Sequence, residues 1–131
     1  MASFDLAPKI SAYPAIVPQT AAASNINSSP VDMAEFDSVA FITSVGAGNT
    51  NATISIAQSF YESDDNTRAN ATPIPTNRVL YVPTVNASNS VFTSNVVPTK
   101  RYVFVELDPT ATFGSPVSVV AVRGNAKNMP T

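Results

Sequence analysis

The densest group of potential oxygen ligands in the chain is Glu62-Ser63-Asp64-Asp65-Asn66. Three carboxylates within four residues suit a hard cation such as calcium. A calcium loop, however, needs six to eight oxygens around an enforced turn. This segment has no second acidic cluster nearby and does not match EF-hand spacing. A solvated hairpin tip closed by an Asx-turn accounts for it better. Glu106 and Asp108 are the other paired carboxylates. Glycoside hydrolysis needs two acids at a defined separation, one of them held protonated. A strand that places Glu106 near Arg101 or Arg123 explains it equally well as half of a cross-strand ion pair.

The remaining chemistry is excluded more firmly. The chain has no histidine and no cysteine. That removes the commonest general base, the commonest metal ligand, thiolate nucleophiles and disulfides. Gly46-Ala47-Gly48 precedes no helix and lacks the lysine of a phosphate loop. Lys100-Arg101-Tyr102 is a faint basic–aromatic pattern in a chain whose pI is near 4.8, so nucleic acid is not expected as a partner. Asn27, Asn51, Asn70 and Asn86 lie in glycosylation sequons. Met1–Asp5 lacks the basic and apolar regions of a secretory signal, so no glycans are expected, and a chain rich in Asn, Ser and Thr produces such triplets by chance. No enzymatic activity, cofactor, metal or small-molecule substrate is expected.

These residues sit on β-elements. Phe36–Thr43 is rich in β-branched and aromatic residues, and Gly46–Asn49 reads as a turn. Ala52–Phe60 alternates apolar and polar, so it is a half-buried strand that pairs with the preceding one as a hairpin. Arg78–Val82 is a short strand stopped by Pro83. Ser90–Val97 is weaker. Lys100–Leu107 is apolar on both faces and is expected at the centre of a sheet. Pro116–Arg123 is the last strand. Only Val31–Phe36 has the makings of a helical turn. The pattern predicts an all-β protein: an antiparallel β-sandwich or barrel of about six to eight strands.

At 131 residues the chain is one domain. Only 12% of its residues are charged while 44% are hydrophobic, so its surface has little electrostatic protection against association. The charge is also uneven. Asp32, Glu35, Asp37, Glu62, Asp64 and Asp65 fall in a stretch without basic residues, whereas Arg68, Arg78, Lys100, Arg101, Arg123 and Lys127 dominate the rest. Either the two halves present different faces, or they interleave and the dipole cancels.

Residues 1–30 contain Pro8, Pro14, Pro18 and Pro30, the run Ala21-Ala22-Ala23-Ser24 and two charges, Asp5 and Lys9. Such a segment stays mobile unless contact ties it down. It is expected to be an extended N-terminal arm, with residues 31–131 as the sandwich body. Phe4, Leu6, Ile10, Tyr13, Ile16 and Val17 are its expected interface anchors. They are spaced to fill grooves on another surface or to add at a sheet edge. Wrapping around its own domain is the alternative.

Phe36–Phe41, Ala52–Gln58, Glu62–Asp65, Lys100–Val105 and Val119–Val122 together resemble small virion structural proteins of tailed bacteriophages. The resemblance covers residues 31–125 and is a pattern of strands rather than an active-site signature. It implies a capsid decoration or cement protein on the virion surface, made in the bacterial host cytoplasm. Its implied partners are the major capsid protein and sister copies, in a homo-oligomer without nucleic acid or membrane. A head–tail or tail-associated module that binds a receptor or glycan is the second expectation.

Overall fold

The computed structural model describes residues 10–21, 24–48, 55–87, 89–111 and 114–126, with backbone alone at 125 and 126. It is all-β, with ten strands in two antiparallel sheets. They are β1 (Ser11–Thr20), β2 (Ile26–Asn27), β3 (Val31–Asp32), β4 (Phe36–Val45), β5 (Ile56–Ser63), β6 (Thr72–Pro73), β7 (Val79–Tyr81), β8 (Ser90–Val96), β9 (Tyr102–Pro109) and β10 (Pro116–Ala126). Short 3-10 turns at Arg68–Asn70 and Thr76–Arg78 flank β6.

The first sheet runs β1-β10-β4-β8-β7 and the second β2-β9-β5-β6, with β3 also paired to β9. The strand count exceeds the expected six to eight because β2, β3 and β6 are two-residue pairings, too short to leave a periodic trace. β9 is central in its sheet, as its two apolar faces predict, and Val103, Phe104 and Val105 are consecutively buried.

Residues 52–54 lie outside the described residues, and among the described ones the hairpin expected between Phe36–Thr43 and Ala52–Phe60 does not form. β4 has β10 on one edge and β8 on the other, and β5 lies in the opposite sheet between β9 and β6. Gly46–Gly48 therefore leads a crossing between sheets. Alternation specifies which side of a strand is buried but not which strand lies beside it.

The core lies between the sheets. In β4 the inward positions Val39, Phe41, Thr43 and Val45 are buried, and in β10 so are Val117, Val119 and Ala121. Facing them are Ile56 and Phe60 of β5 and Val103, Val105 and Leu107 of β9. Phe41 and Phe60 join the layers directly, with ring centroids 5.3 Å apart. Burying side chains of this size contributes roughly 1.5–3 kcal/mol each before entropy is subtracted.

The expected boundary at residue 30 is not a boundary of the fold. β1 is a ten-residue strand on β10, and β2 pairs with β9. Ala21 N–H donates to the Ser115 carbonyl and Gly114 N–H donates back to Ala21. The described part of the leader is thus tied down by its own sheets.

Candidate functional site: the open side of the sandwich

The six expected arm anchors scatter. Phe4 and Leu6 lie outside the described residues. Ile10 is half-buried, and Tyr13 packs against the core with the Arg123 guanidinium 5.9 Å from its ring centre. Ile16 is 3% exposed, so it is a core residue of its own chain rather than an interface anchor. The reason is local. The β1–β10 register slips between Pro14 and Ile16 and again before Gln19. That irregularity turns both Ala15 and Ile16 inward. Val17, just beyond, is 60% exposed. Pro14 and Pro18 have no N–H to offer, which guards β1 as an edge strand.

The opposite side is less guarded. β7 is three residues long and meets only the end of β8, pairing Val79 with Val96 and Tyr81 with Asn95. Leu80, Tyr81 and Val82 are exposed large hydrophobics there. Beside them opens a cavity of about 320 Å³, whose apolar lining includes Phe60, Ile74, Val79 and Val82. It runs along the outer edge of β5. That edge is bonded to Val85 at Ile56 and to Ile74 at Phe60, and among the described residues no strand pairs with it at Gln58 between them. The Gln58 side chain, which also lines the cavity, accepts from the Thr43 hydroxyl and donates to the Pro83 carbonyl at 2.9 Å. An apolar cleft beside an exposed strand edge suits a side chain from an extended segment.

The acidic residues perform structural work. Glu62 was expected at a solvated tip. Instead it ends β5 pointing inward, 3% exposed. It accepts from the Arg78 guanidinium, from Thr99 N–H at 3.0 Å and from the Thr99 hydroxyl at 3.3 Å. Burial pushes its carboxyl up, but Arg78 and Thr99 together outweigh this and hold it below the usual glutamate value. The tip proper is Asp65, which accepts from Thr67 N–H, Asn70 and Ser63. The Thr67 N–H, followed by the Asn70 amide, keeps its carboxyl low. This is the expected Asx-turn. Among the described residues no three His, Cys, Asp or Glu side chains converge on a possible metal position.

Glu106 pairs with neither Arg101 nor Arg123. Its partners are Arg68, at 2.8 Å, and the Asn25 amide, with the Arg68 guanidinium also stacked 3.6 Å from the Tyr61 ring centre. Arg101 instead forms a two-point contact with Asp32, both bonds at 3.0 Å, and lowers its carboxyl. Arg123 donates to the Asp32 carbonyl and to Ser11 Oγ. Asp32–Arg101 and Glu62–Arg78 each join the acidic stretch to the basic one. The sequence halves interleave, and two of the six carboxylates of the acidic stretch, Asp32 and Glu62, find their counter-charge within the molecule. The carboxyls of Asp32, Glu62 and Asp65 are all held below their ordinary values by their partners, opposite to what a general acid requires.

Sequence reasoning missed Leu80, Tyr81, Val82 and Val91 as surface residues. The available signal was Val79–Val82 itself, apolar on both faces yet too short and too close to Pro83 to be a central strand.

No protein-family model and no curated protein matches the chain. Among solved structures, it is similar to a chain from the work described as "Bacillus endospore appendages form a novel family of disulfide-linked pili". The TM-score is 0.53 at 16% identity, over 90% of this chain and 89% of that one. The likeness is one of fold.

Proposed function

We propose that this protein is a non-enzymatic structural subunit that binds a repeated protein lattice and stabilises it. Following the resemblance to phage virion proteins, that lattice is the outer surface of a capsid, and the chain is a decoration or cement protein bridging capsid subunits. The observation that carries the binding reading is the run Leu80-Tyr81-Val82, 60%, 63% and 43% exposed, next to an apolar cleft at a strand edge. Contiguous apolar exposure of this kind marks protein contacts. Repetition over a lattice turns weak contacts into stable attachment.

Co-sedimentation of the purified chain with capsid shells tests the reading. Wild type is expected to pellet with shells and to raise their melting temperature. Leu80→Asp with Val82→Asp is expected to abolish both effects in a chain that remains folded. Pelleting unaffected by that pair of changes would dismiss the open side as the contact.

The fold likeness to a pilus protein favours a second reading, a fibre subunit. With no cysteine in the chain, any fibre would be held without disulfides of its own. Electron microscopy of the concentrated protein distinguishes filaments from free particles.

A further inference from the structure

The outer face of the five-stranded sheet is set by register. Side chains that alternate with the buried ones on β10, β4 and β8 align across the strands: Val122 with Ala40, then Asn95; Val120 with Ile42, then Thr93; Ser118 with Ser44, then Val91. β1 adds Pro14 beside Val120, and β7 adds Tyr81 beside Asn95. No charged residue occupies any of these rows. Val91, Tyr81 and Val120 are exposed large hydrophobics at 63%, 63% and 37%, and the positions between them are filled by half-buried Ile42 and Val122 and by small or uncharged polar residues.

We infer that this face is a self-association surface, occupied by the same face of a second copy. Two arguments select that occupant. The first is charge. A partner surface carrying Lys, Arg, Asp or Glu would bury those groups against a face that offers them no counter-charge, so their desolvation would oppose the contact. A surface free of charge is the complement, and this chain supplies one. A two-fold contact needs only that the patch match itself. The second is area. Five strands about 4.8 Å apart span roughly 24 Å, and the three rows with their side chains cover roughly 20 Å along the strands. Two copies then remove about 1,000 Å² from water, near the lower bound for a specific interface. Stacking face to face at about 10 Å is the ordinary packing of twisted sheets. The β1 edge is a poor alternative, since Pro14 and Pro18 interrupt its hydrogen-bond donors. The inference goes beyond the lattice-binding reading and does not require a capsid.

The test is light scattering during size-exclusion chromatography of the full chain over a wide concentration range. Wild type is expected to pass from monomer to dimer as concentration rises. Val120→Lys and Ile42→Lys, each adding a charge to the face without touching the core, are expected to weaken the dimer at least about tenfold while leaving the circular dichroism spectrum and melting temperature near wild type. Ala69→Lys, an exposed site elsewhere, is expected to leave the dimer intact. A wild-type chain monomeric at every concentration overturns the inference, since the face is then left bare or covered by the chain's own termini. So does a dimer indifferent to both lysines, or one equally lost in Ala69→Lys. Capsid pelleting by the Val120→Lys monomer separates this result from the lattice-binding reading, which rests on Leu80 and Val82.

Discussion

Glu62 and Arg78 meet in a two-point contact at the end of β5, Arg78 Nη2 donating to Oε1 at 2.6 Å and Nη1 to Oε2 at 3.1 Å. The carboxylate is 4% exposed and the guanidinium 22%. Arg78 also donates to the Val97 carbonyl, and Val97 N–H donates to the Arg78 carbonyl. One ion pair therefore ties β5 in one sheet to the β7–β8 end of the other. Removing one partner of such a pair leaves an uncompensated buried charge, at roughly 3–5 kcal/mol. Glu62→Gln and Arg78→Ala are each expected to destabilise on that scale in urea melts. Arg101→Ala, breaking an ion pair that is 55% and 42% exposed, is expected to cost under about 1 kcal/mol.

The same contact sets a pH dependence. The folded-state carboxyl of Glu62 lies below its ordinary value of 4.5, and that of Asp32 below 3.8. Near those values the unfolded chain binds more protons than the folded one, so stability rises with pH there. Their contribution is complete at neutral pH and is lost as pH falls from about 5 through the folded-state values. Melting temperature should be flat between pH 6 and 8 and drop steeply below about 4.5. Glu62→Gln should start lower and fall less. An acid transition of undiminished slope in that variant would assign the effect elsewhere.

The leader makes the next prediction, because part of it is core. Deleting residues 2–20 removes β1 with Ala15 and Ile16 and uncovers the edge of β10. The truncated chain is expected to unfold or aggregate rather than merely lose binding. Deleting residues 2–9 leaves β1 whole and is expected to keep the fold. Ile16→Ala should cost about 2–4 kcal/mol, and Val17→Ala less than about 0.5 kcal/mol. Denaturant melts of the four variants check the order.

How much of this was legible follows from what each signal encodes. The β-branched and aromatic run Phe36–Thr43 and the doubly apolar Lys100–Leu107 gave strand positions, because strand propensity and side-chain period are local properties. Which strands pair was not legible. β4 meets β10 some eighty residues later, and nothing in either segment names the other. β1 was legible only as the alternative in which the leader wraps its own domain, because Pro14 and Pro18 normally argue against a strand and here mark an edge one. Ile16 looked like an anchor for a partner because an exposed and a buried isoleucine have the same letter; only the register slip after Pro14 separates them. Glu62 read as loop because a charge is expected outside, and its pairing with Arg78 spans sixteen residues and two sheets.

Gly48 carries a backbone prediction. Its φ is +139°, and a Cβ there would stand 2.7 Å from the Gly114 carbonyl oxygen. The neighbour is backbone in the segment that also bonds Ala21, so it has little freedom to retreat. Gly48→Ala is expected to cost more than about 1 kcal/mol. Gly124→Ala, with open space around the new methyl, is expected to stay within about 0.5 kcal/mol of wild type. Equal melting temperatures for the two variants would contradict this geometry.

The bridge between the sheets at Thr43 and Gln58 supplies the last prediction. Thr43 is fully buried on β4, and its hydroxyl donates to Gln58 Oε1 at 3.2 Å while the same amide donates onward to Pro83. A buried hydroxyl that loses its acceptor costs about 1–3 kcal/mol, whereas removing both partners with apolar groups of similar shape costs far less. Gln58→Leu should therefore destabilise by about 1–3 kcal/mol, and Thr43→Val by a smaller amount because Gln58 is half-buried and reaches water. The double variant should lose less than the two singles combined, with a coupling of at least about 0.5 kcal/mol. A residual penalty is expected even then, since the Pro83 carbonyl stays without its donor. Strict additivity in this cycle would mean that the Thr43–Gln58 bond adds nothing to the joining of the sheets, with Gln58 free to turn toward the cavity and meet whatever segment enters it.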